Sequence, residues 1–241
     1  MASLESFPSS NHLLVALSKS DRELLYPLLE TVEISLKQDM EIPNTPIENV
    51  YFPESGMVST VGGSRDEQVE VGLTGREGVT GLPILLGAES SPNQVYVQIA
   101  GEARRIGAHD FRGAIERSDS LRAVLLKYVQ VFLIQASQTA VANARFKIEE
   151  RLGRWILMAD DRVDSALIPL THEFLSLMLG VRRAGVTDAL HALEGRGLIT
   201  TDRGRIRVID RDGLIACANG CYGIPEQEYR RLIGDSFGAR T

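Results

Sequence analysis

Cysteine is nearly absent: Cys217 and Cys221 are the only two in 241 residues. That is too few for a disulfide framework and points to a reducing compartment. Their C-x3-C spacing has no second Cys or His cluster near it in sequence, so it reads as two packed thiols rather than a metal or redox pair. The four histidines are scattered. The chain contains no G-x-S-x-G, no phosphate-cradling Gly-Lys-Ser/Thr, no H-E-x-x-H and no carboxylate pair in a setting that would shift its titration. An enzyme is therefore not expected, nor a metal or cofactor. No apolar run reaches the roughly 18 to 20 residues of a membrane span. The longest candidates, 79–88 and 124–136, are interrupted by Gly, Lys or Gln. The N-terminus, with Glu5, Ser9, Ser10 and Asn11, lacks the basic flank and apolar stretch of a secretory signal. The expectation is a cytoplasmic protein with no membrane partner.

Lysine disappears after residue 150. Residues 151–241 carry 13 basic side chains, all Arg, against 12 acidic, whereas 1–150 carry 13 basic and 20 acidic. The net charge of -6 therefore belongs to the N-terminal part. Arg182, Arg183, Arg196, Arg203, Arg205 and Arg207 fall in one short stretch, which allows a basic face on a near-neutral domain.

The 44% apolar content suffices to bury real cores. Residues 13–34, with Leu13, Leu14, Leu17, Leu24, Leu25, Leu28 and Leu29 at helical spacing, read as short helices. From about Val32 the pattern changes to short β-branched and aromatic segments (49–52, 57–61, 68–73, 94–99) punctuated by Gly and Pro. These predict an antiparallel sandwich or barrel of roughly 70 residues. Residues 118–144 contain neither Gly nor Pro, and predict a long helix. Along it Leu121, Leu125, Tyr128, Phe132, Gln135, Thr139 and Ala142 alternate spacings of four and three, the seam of a coiled coil and so a candidate dimer interface. A helix packed on its own domain is the alternative. In the dimer reading a second apolar stripe, Val124, Val131, Ile134 and Val141, would cover the β-domain while the first meets a partner chain. Helix is expected to continue over 145–158, with a polar break at 160–164. The resulting division is 1–116, a β-rich domain with short N-terminal helices; 117–160, a candidate dimerisation helix and hinge; and 161–241, a C-terminal domain.

Residues 169–194 read as two helices around a turn. Thr171 caps the first. Ser176 is small where the helices cross, Gly180 supplies the positive φ of a tight turn four residues later, and Val186 plugs the core six residues after that. Leu190 and Leu193 continue the buried face. Two strand-like runs, 198–201 and 205–209, joined at Asp202-Arg203-Gly204, form a hairpin wing. In a winged helix-turn-helix the second helix enters the major groove, so Arg182, Arg183, Ala184, Thr187 and Asp188 point at base edges of double-stranded DNA. Arg183 suits a bidentate contact to guanine, with Arg182 on a base or a phosphate. Asp188 either accepts from cytosine N4 or orients Arg183. Thr171, His191, Arg203 and Arg205 are candidates for phosphate contacts, which position without specifying.

Together these features resemble the CRP/FNR superfamily of bacterial transcriptional regulators over nearly the whole chain. The resemblance is most specific in Val50-Tyr51-Phe52-Pro53-Glu54-Ser55-Gly56, in 75–87 and in 170–209. It implies an α+β fold: an N-terminal antiparallel β-roll of the cyclic-nucleotide-binding type, a long dimerisation helix and a C-terminal winged helix-turn-helix. It also implies a homodimer on a two-fold symmetric site and a contact with RNA polymerase. Family members that bind cyclic AMP hold the ribose with Gly-Glu and the phosphate with Arg-Ser about ten residues on. Here Gly81 is followed by Leu82, and 89–94 contain no Arg. An anionic phosphate without a basic partner is poorly held in a semi-buried pocket, so cyclic AMP is not expected as effector. Arg76, Glu77 and Gly81 are the candidate pocket residues for another ligand; an effector-free scaffold is the alternative. Iron-sulfur members use cysteines in the N-terminal half, which this chain lacks, and His12 and His109 make no case for haem. The family's Arg-Glu-x-x-x-Arg becomes Arg183-Ala184-Gly185-Val186-Thr187-Asp188, so a different target sequence is expected.

Overall fold

The computed structural model describes residues 8–64, 67–163, 165–234 and 237. Two short helices, α1 (His12–Val15) and α2 (Lys19–Leu25), are capped by Asn11 and Ser18, whose side-chain oxygens accept from Leu14 and Asp21 N-H. A 3-10 turn (Tyr26–Leu28) leads into β1 (Glu30–Ile34), followed by β2 (Asp39–Glu41), β3 (Asn49–Pro53), β4 (Met57–Ser64), β5 (Glu67–Thr74), α3 (Leu82–Leu85), β6 (Gln94–Ile99) and β7 (Gly101–Gly107). The four sequence-predicted strands are present. Missed were β2 and β7, and also β1, whose five residues fell within the stretch read as helical.

The strands form two antiparallel sheets, β1-β7-β3 and β2-β6-β4-β5. The two-residue period of a strand divides their side chains between cores. Tyr51, Val58, Val95, Val97 and Ala103 meet between the sheets. Val50, Phe52 and Ile106 point the other way, toward the helical layer. On the four-stranded sheet Met57, Val61, Leu73, Tyr96 and Ile99 face outward, into a core shared with the C-terminal domain. The outer face of the roll is therefore the seat of that domain.

After α4 (Ala108–Arg117), α5 (Asp119–Arg145) begins at the Ser118 cap and runs 27 residues. By length and composition alone, with a mean hydropathy of 1.2 in its most apolar window, α5 is long and apolar enough to cross a membrane, but one of its faces packs on β5 of the roll. Phe146 (ψ 150°) and Lys147 (ψ 163°) are both extended, so the helix expected to continue over 145–158 is broken there. The next helix, α6 (Ile148–Asp160), starts afresh, its Glu150 side chain accepting from Lys147 N-H at 2.7 Å. α6 packs on the C-terminal helices α8 (Arg183–Gly195) and α9 (Arg211–Cys217). Between these lie β8 (Ile168–Pro169), α7 (His172–Leu179), β9 (Ile199–Asp202) and β10 (Arg205–Val208), the strands paired in the order β8-β10-β9. The last helix, α10 (Ile224–Leu232), returns to lie along α5.

Candidate nucleic-acid interface and effector pocket

The α7–α8 unit is built as its spacing dictates. Thr171 Oγ1 accepts from Phe174 N-H at 3.3 Å, starting α7. Gly180, at φ 60° and ψ 38°, ends it: Val181 N-H reaches Ser176 O and Gly180 N-H reaches Leu177 O, the paired bonds of a left-handed helix stop. Ser176 Oγ donates to Val181 O, which ties the turn to the end of α7. Val186, Leu190 and Leu193 are buried, leaving the opposite face of α8 outward. At the wing tip Arg203 (φ 45°) and Gly204 (φ 76°) are both left-handed, the geometry of a two-residue hairpin turn whose twist matches its strands.

The nine candidate DNA residues lie together on this unit. Thr171, Arg182, Arg183, Ala184, Asp188 and His191 are exposed on α7 and α8, as are Arg203 and Arg205 on the wing; Thr187 is half-buried. Arg207 is exposed beside Arg205 because Ile206 between them points into the core. Arg183 finds its carboxylate in Glu173 of α7, at 3.0 Å. The orienting role offered to Asp188 is thus filled by a residue that sequence reasoning passed over. Thr187 Oγ1 donates to Arg183 O and meets His172 Nδ1 at 3.1 Å, a second link between the two helices.

The predicted dimer seam is a correction. Leu121, Leu125, Tyr128, Gln135 and Ala142 are buried within the single chain. Leu121, Leu125 and Tyr128 enter the helical-layer core of the roll. Phe132 lies over β5 at Gly72, where a Cβ would come within 2.7 Å of its ring. Gln135 accepts from Leu73 N-H at 2.6 Å and donates to Leu73 O at 3.1 Å. β5 is an edge strand, and this amide occupies edge groups that would otherwise be unpaired. Thr139 Oγ1 donates to Gln135 O and accepts from Arg154 at 3.1 Å. The large apolar side chains that α5 leaves exposed are Leu126, Leu133 and Val141.

The candidate effector residues lie outside the lining of a pocket in the roll. A pocket of about 280 Å³ lies between α3, the loop after it, the four-stranded sheet and Val129, Phe132 and Leu133 of α5. Neither Arg76 nor Glu77 lines it. Glu77 is buried and ion-paired to Arg162 Nε at 2.8 Å, while Arg76 is half-buried, its carbonyl accepting from His12 N-H. Gly81 borders the pocket through its N-H, which donates to Glu41 Oε1 at 2.7 Å. Glu41, a lining residue that no pattern in the sequence announced, has its carboxyl held above the usual range by burial.

A second polar cluster sits where the C-terminal domain meets the roll. Trp155 Nε1 donates to Glu70 Oε1 at 2.7 Å, and Ser59 Oγ donates to Glu70 Oε2 at 2.8 Å. Burial pushes the Glu70 carboxyl up to about 7, against the opposing hydrogen bonds and the charges of Arg154 and Arg162. The mutual positions of α7, α8 and the roll leave a cleft of about 900 Å³. Thr171, Glu173, Arg182 and Arg183 form one wall, and Lys37, Asp39, Gln68 and Gln94 form the other. The described residues contain no group of three or more His, Cys, Asp or Glu placed to hold a metal. Cys217 and Cys221 are free and buried, with burial raising the Cys221 thiol to about 11.

Residues 150–217 match the Crp-like helix-turn-helix domain. No curated protein sequence matches the chain. Among solved structures, FixK2 from Bradyrhizobium japonicum is similar over 78% of this chain and 96% of its own, with 18% identity and a TM-score of 0.68. A CRP/FNR-family regulator from Eubacterium rectale is similar over 86% and 98%, with 15% identity and a TM-score of 0.66. The c-di-GMP-responsive global regulator CLP of Xanthomonas campestris is similar over 79% and 99%, with 15% identity and a TM-score of 0.63.

Proposed function

The chain has the fold of the CRP/FNR transcriptional regulators and carries a Crp-like helix-turn-helix domain; from this we propose a sequence-specific DNA-binding regulator that acts as a cytoplasmic homodimer on a two-fold symmetric site. The observation that carries the proposal is the outward face of α8. Arg182 and Arg183 stand exposed at its first turn, and Arg203, Arg205 and Arg207 stand exposed on the wing beside it. Five guanidinium groups on one unit of an otherwise acidic chain suit a phosphate backbone, and an arginine at the helix start suits the two acceptors of guanine. Thr171, Ala184, Thr187, Asp188 and His191 complete the surface. The protein acts by binding, without catalysis, and reaches RNA polymerase from the DNA.

Dimerisation is assigned to the exposed stripe of α5. Leu126, Leu133 and the small Ala140 recur every seven residues, with Val141 alongside, so two copies of α5 can pair while the opposite face stays on the roll. The two-residue extended link at Phe146 and Lys147 then serves as the hinge that sets the angle of the recognition helices, whose half-sites lie about 34 Å apart. Control by cyclic AMP is not part of the proposal. Among the described residues the β-roll pocket is lined by the Glu41 carboxylate and by no Lys or Arg, and a buried cyclic phosphate needs a basic partner.

Selection of bound duplexes from a random pool tests the reading, using wild type and Arg183→Ala, each with and without cyclic AMP. The expected outcome is an inverted repeat that relaxes at one position per half-site in the variant and ignores cyclic AMP. Absence of any enriched motif overturns DNA recognition, and strict dependence on cyclic AMP overturns the reading of the pocket.

A further inference from the structure

We infer that the C-terminal helix α10, with Phe237 after it, is an intramolecular strap that holds the DNA-binding domain against the β-roll in a DNA-incompetent arrangement. α10 lies beyond the residues that match the helix-turn-helix domain and leaves that domain to pack along α5. It therefore bridges the two sides of the Phe146–Lys147 link. Tyr229 and Phe237 are fully buried, with ring centroids 5.1 Å apart. Both join the core that contains Leu121, Leu125 and Tyr128 of α5. From the other side of the link, the Arg162 guanidinium, at the end of α6, stacks 4.9 Å from the Phe237 ring while its Nε binds Glu77 of the roll.

The arrangement so held turns the start of the recognition helix toward the roll. Arg182, Arg183 and Thr171 form one wall of the 900 Å³ cleft whose other wall is the β-roll, with Lys37 5.9 Å from the Phe174 ring and Gly180 against Val69. A major groove about 12 Å wide is flanked by two phosphate backbones, so a duplex seated on the start of α8 competes for the space that the β-roll occupies across that cleft. Release requires the domain to swing at the link.

The strap is also built to let go. Glu226 of α10 is buried beside Arg154 and Arg162 without forming an ion pair with either, and among the described residues the Tyr229 hydroxyl has no hydrogen-bond partner. Buried polar groups left unsatisfied offset part of what the aromatic burial contributes. The docked state is thereby less stable than a fully satisfied interface would make it, which favours release.

The consequence for DNA rests on the reading above, but opening has its own reporter. Trp155, the single tryptophan, is buried at the interface and bonded to Glu70 of β5. In the full chain carrying Tyr229→Ala and Phe237→Ala, Trp155 emission is expected to shift to the red and to become more accessible to acrylamide, with far-UV circular dichroism unchanged. Affinity for the selected duplex is expected to rise roughly tenfold or more, since apparent affinity scales with the competent fraction. Should the double variant lose its secondary structure, Phe237→Leu makes the same comparison with a smaller perturbation. Trp155 that stays shielded in a folded variant overturns the strap, and Trp155 exposure with unchanged DNA affinity overturns its inhibitory role. If wild type and variant alike bind no DNA while Trp155 becomes exposed, the DNA-binding reading fails and the strap stands as the element holding the domain.

Discussion

Replacing Glu70 by Gln isolates one charge at the junction of roll and C-terminal domain. The side chain is fully buried, and Ser59 has a single hydroxyl proton to share between Glu70 Oε2, at 2.8 Å, and Gln98 Oε1. When Glu70 is neutral its own proton goes to Ser59 Oγ and the Ser59 proton goes to Gln98, so each acceptor receives one donor. Ionised, Glu70 competes with Gln98 for that proton and bears the cost of burial. A carboxyl raised from 4.5 to about 7 in the folded protein contributes stability that is complete below pH 4.5. That contribution is lost as pH rises to 7, because over this window the folded state binds more protons than the unfolded one. The shift amounts to about 3 kcal/mol. Gln supplies the same donor at every pH and keeps an oxygen for Trp155. The variant should therefore match wild type near pH 4.5 and gain on it up to about pH 8, where its melting temperature lies roughly 6 to 12 °C higher. Thermal unfolding followed by Trp155 fluorescence at several pH values reads this directly. A Gln variant that melts no higher than wild type at about pH 8, or a difference that does not change with pH, refutes the assignment of an unfavourable buried charge to Glu70.

Arg183→Ala is expected to cost about 1 to 3 kcal/mol at one base pair per half-site, whereas Arg205→Ala weakens all sequences alike and lowers the salt slope by about 1, both measured by titrations at several salt concentrations. Glu77→Ala leaves Arg162 buried without its carboxylate and is expected to destabilise by about 3 to 5 kcal/mol in urea unfolding. Leu133→Glu, on the exposed stripe of α5, is expected to yield folded monomer by light scattering at concentrations where wild type is dimeric; a dimer that persists moves the interface elsewhere.

Much of the architecture is legible before any coordinates. Short β-branched and aromatic segments set off by Gly and Pro announce β3 to β6, and the Gly- and Pro-free stretch after Ser118 announces α5. The turn chemistry of Thr171, Ser176 and Gly180 announces the helix-turn-helix, because these signals are carried by residues that are neighbours along the chain. β1 was misread because leucines at helical spacing run directly into it. Asp39 to Glu41 and 101–107, interspersed with charged residues, carry too little apolar alternation to be found.

The sequence by itself determined the kind of element at most positions, the basic character of α8 and the wing, and the absence of an arginine where a cyclic phosphate would need one. Which face of α5 turns inward was decided only by tertiary structure. Both of its stripes are apolar, and the choice falls to Gly72, which leaves room for Phe132, and to Leu73, whose backbone binds Gln135. The same holds for Glu77 with Arg162 and for Glu70 with Trp155, each separated by 85 residues. No local pattern announces such a pairing, since burial makes these partners depend on one another only after the chain has brought the roll, α6 and α10 together.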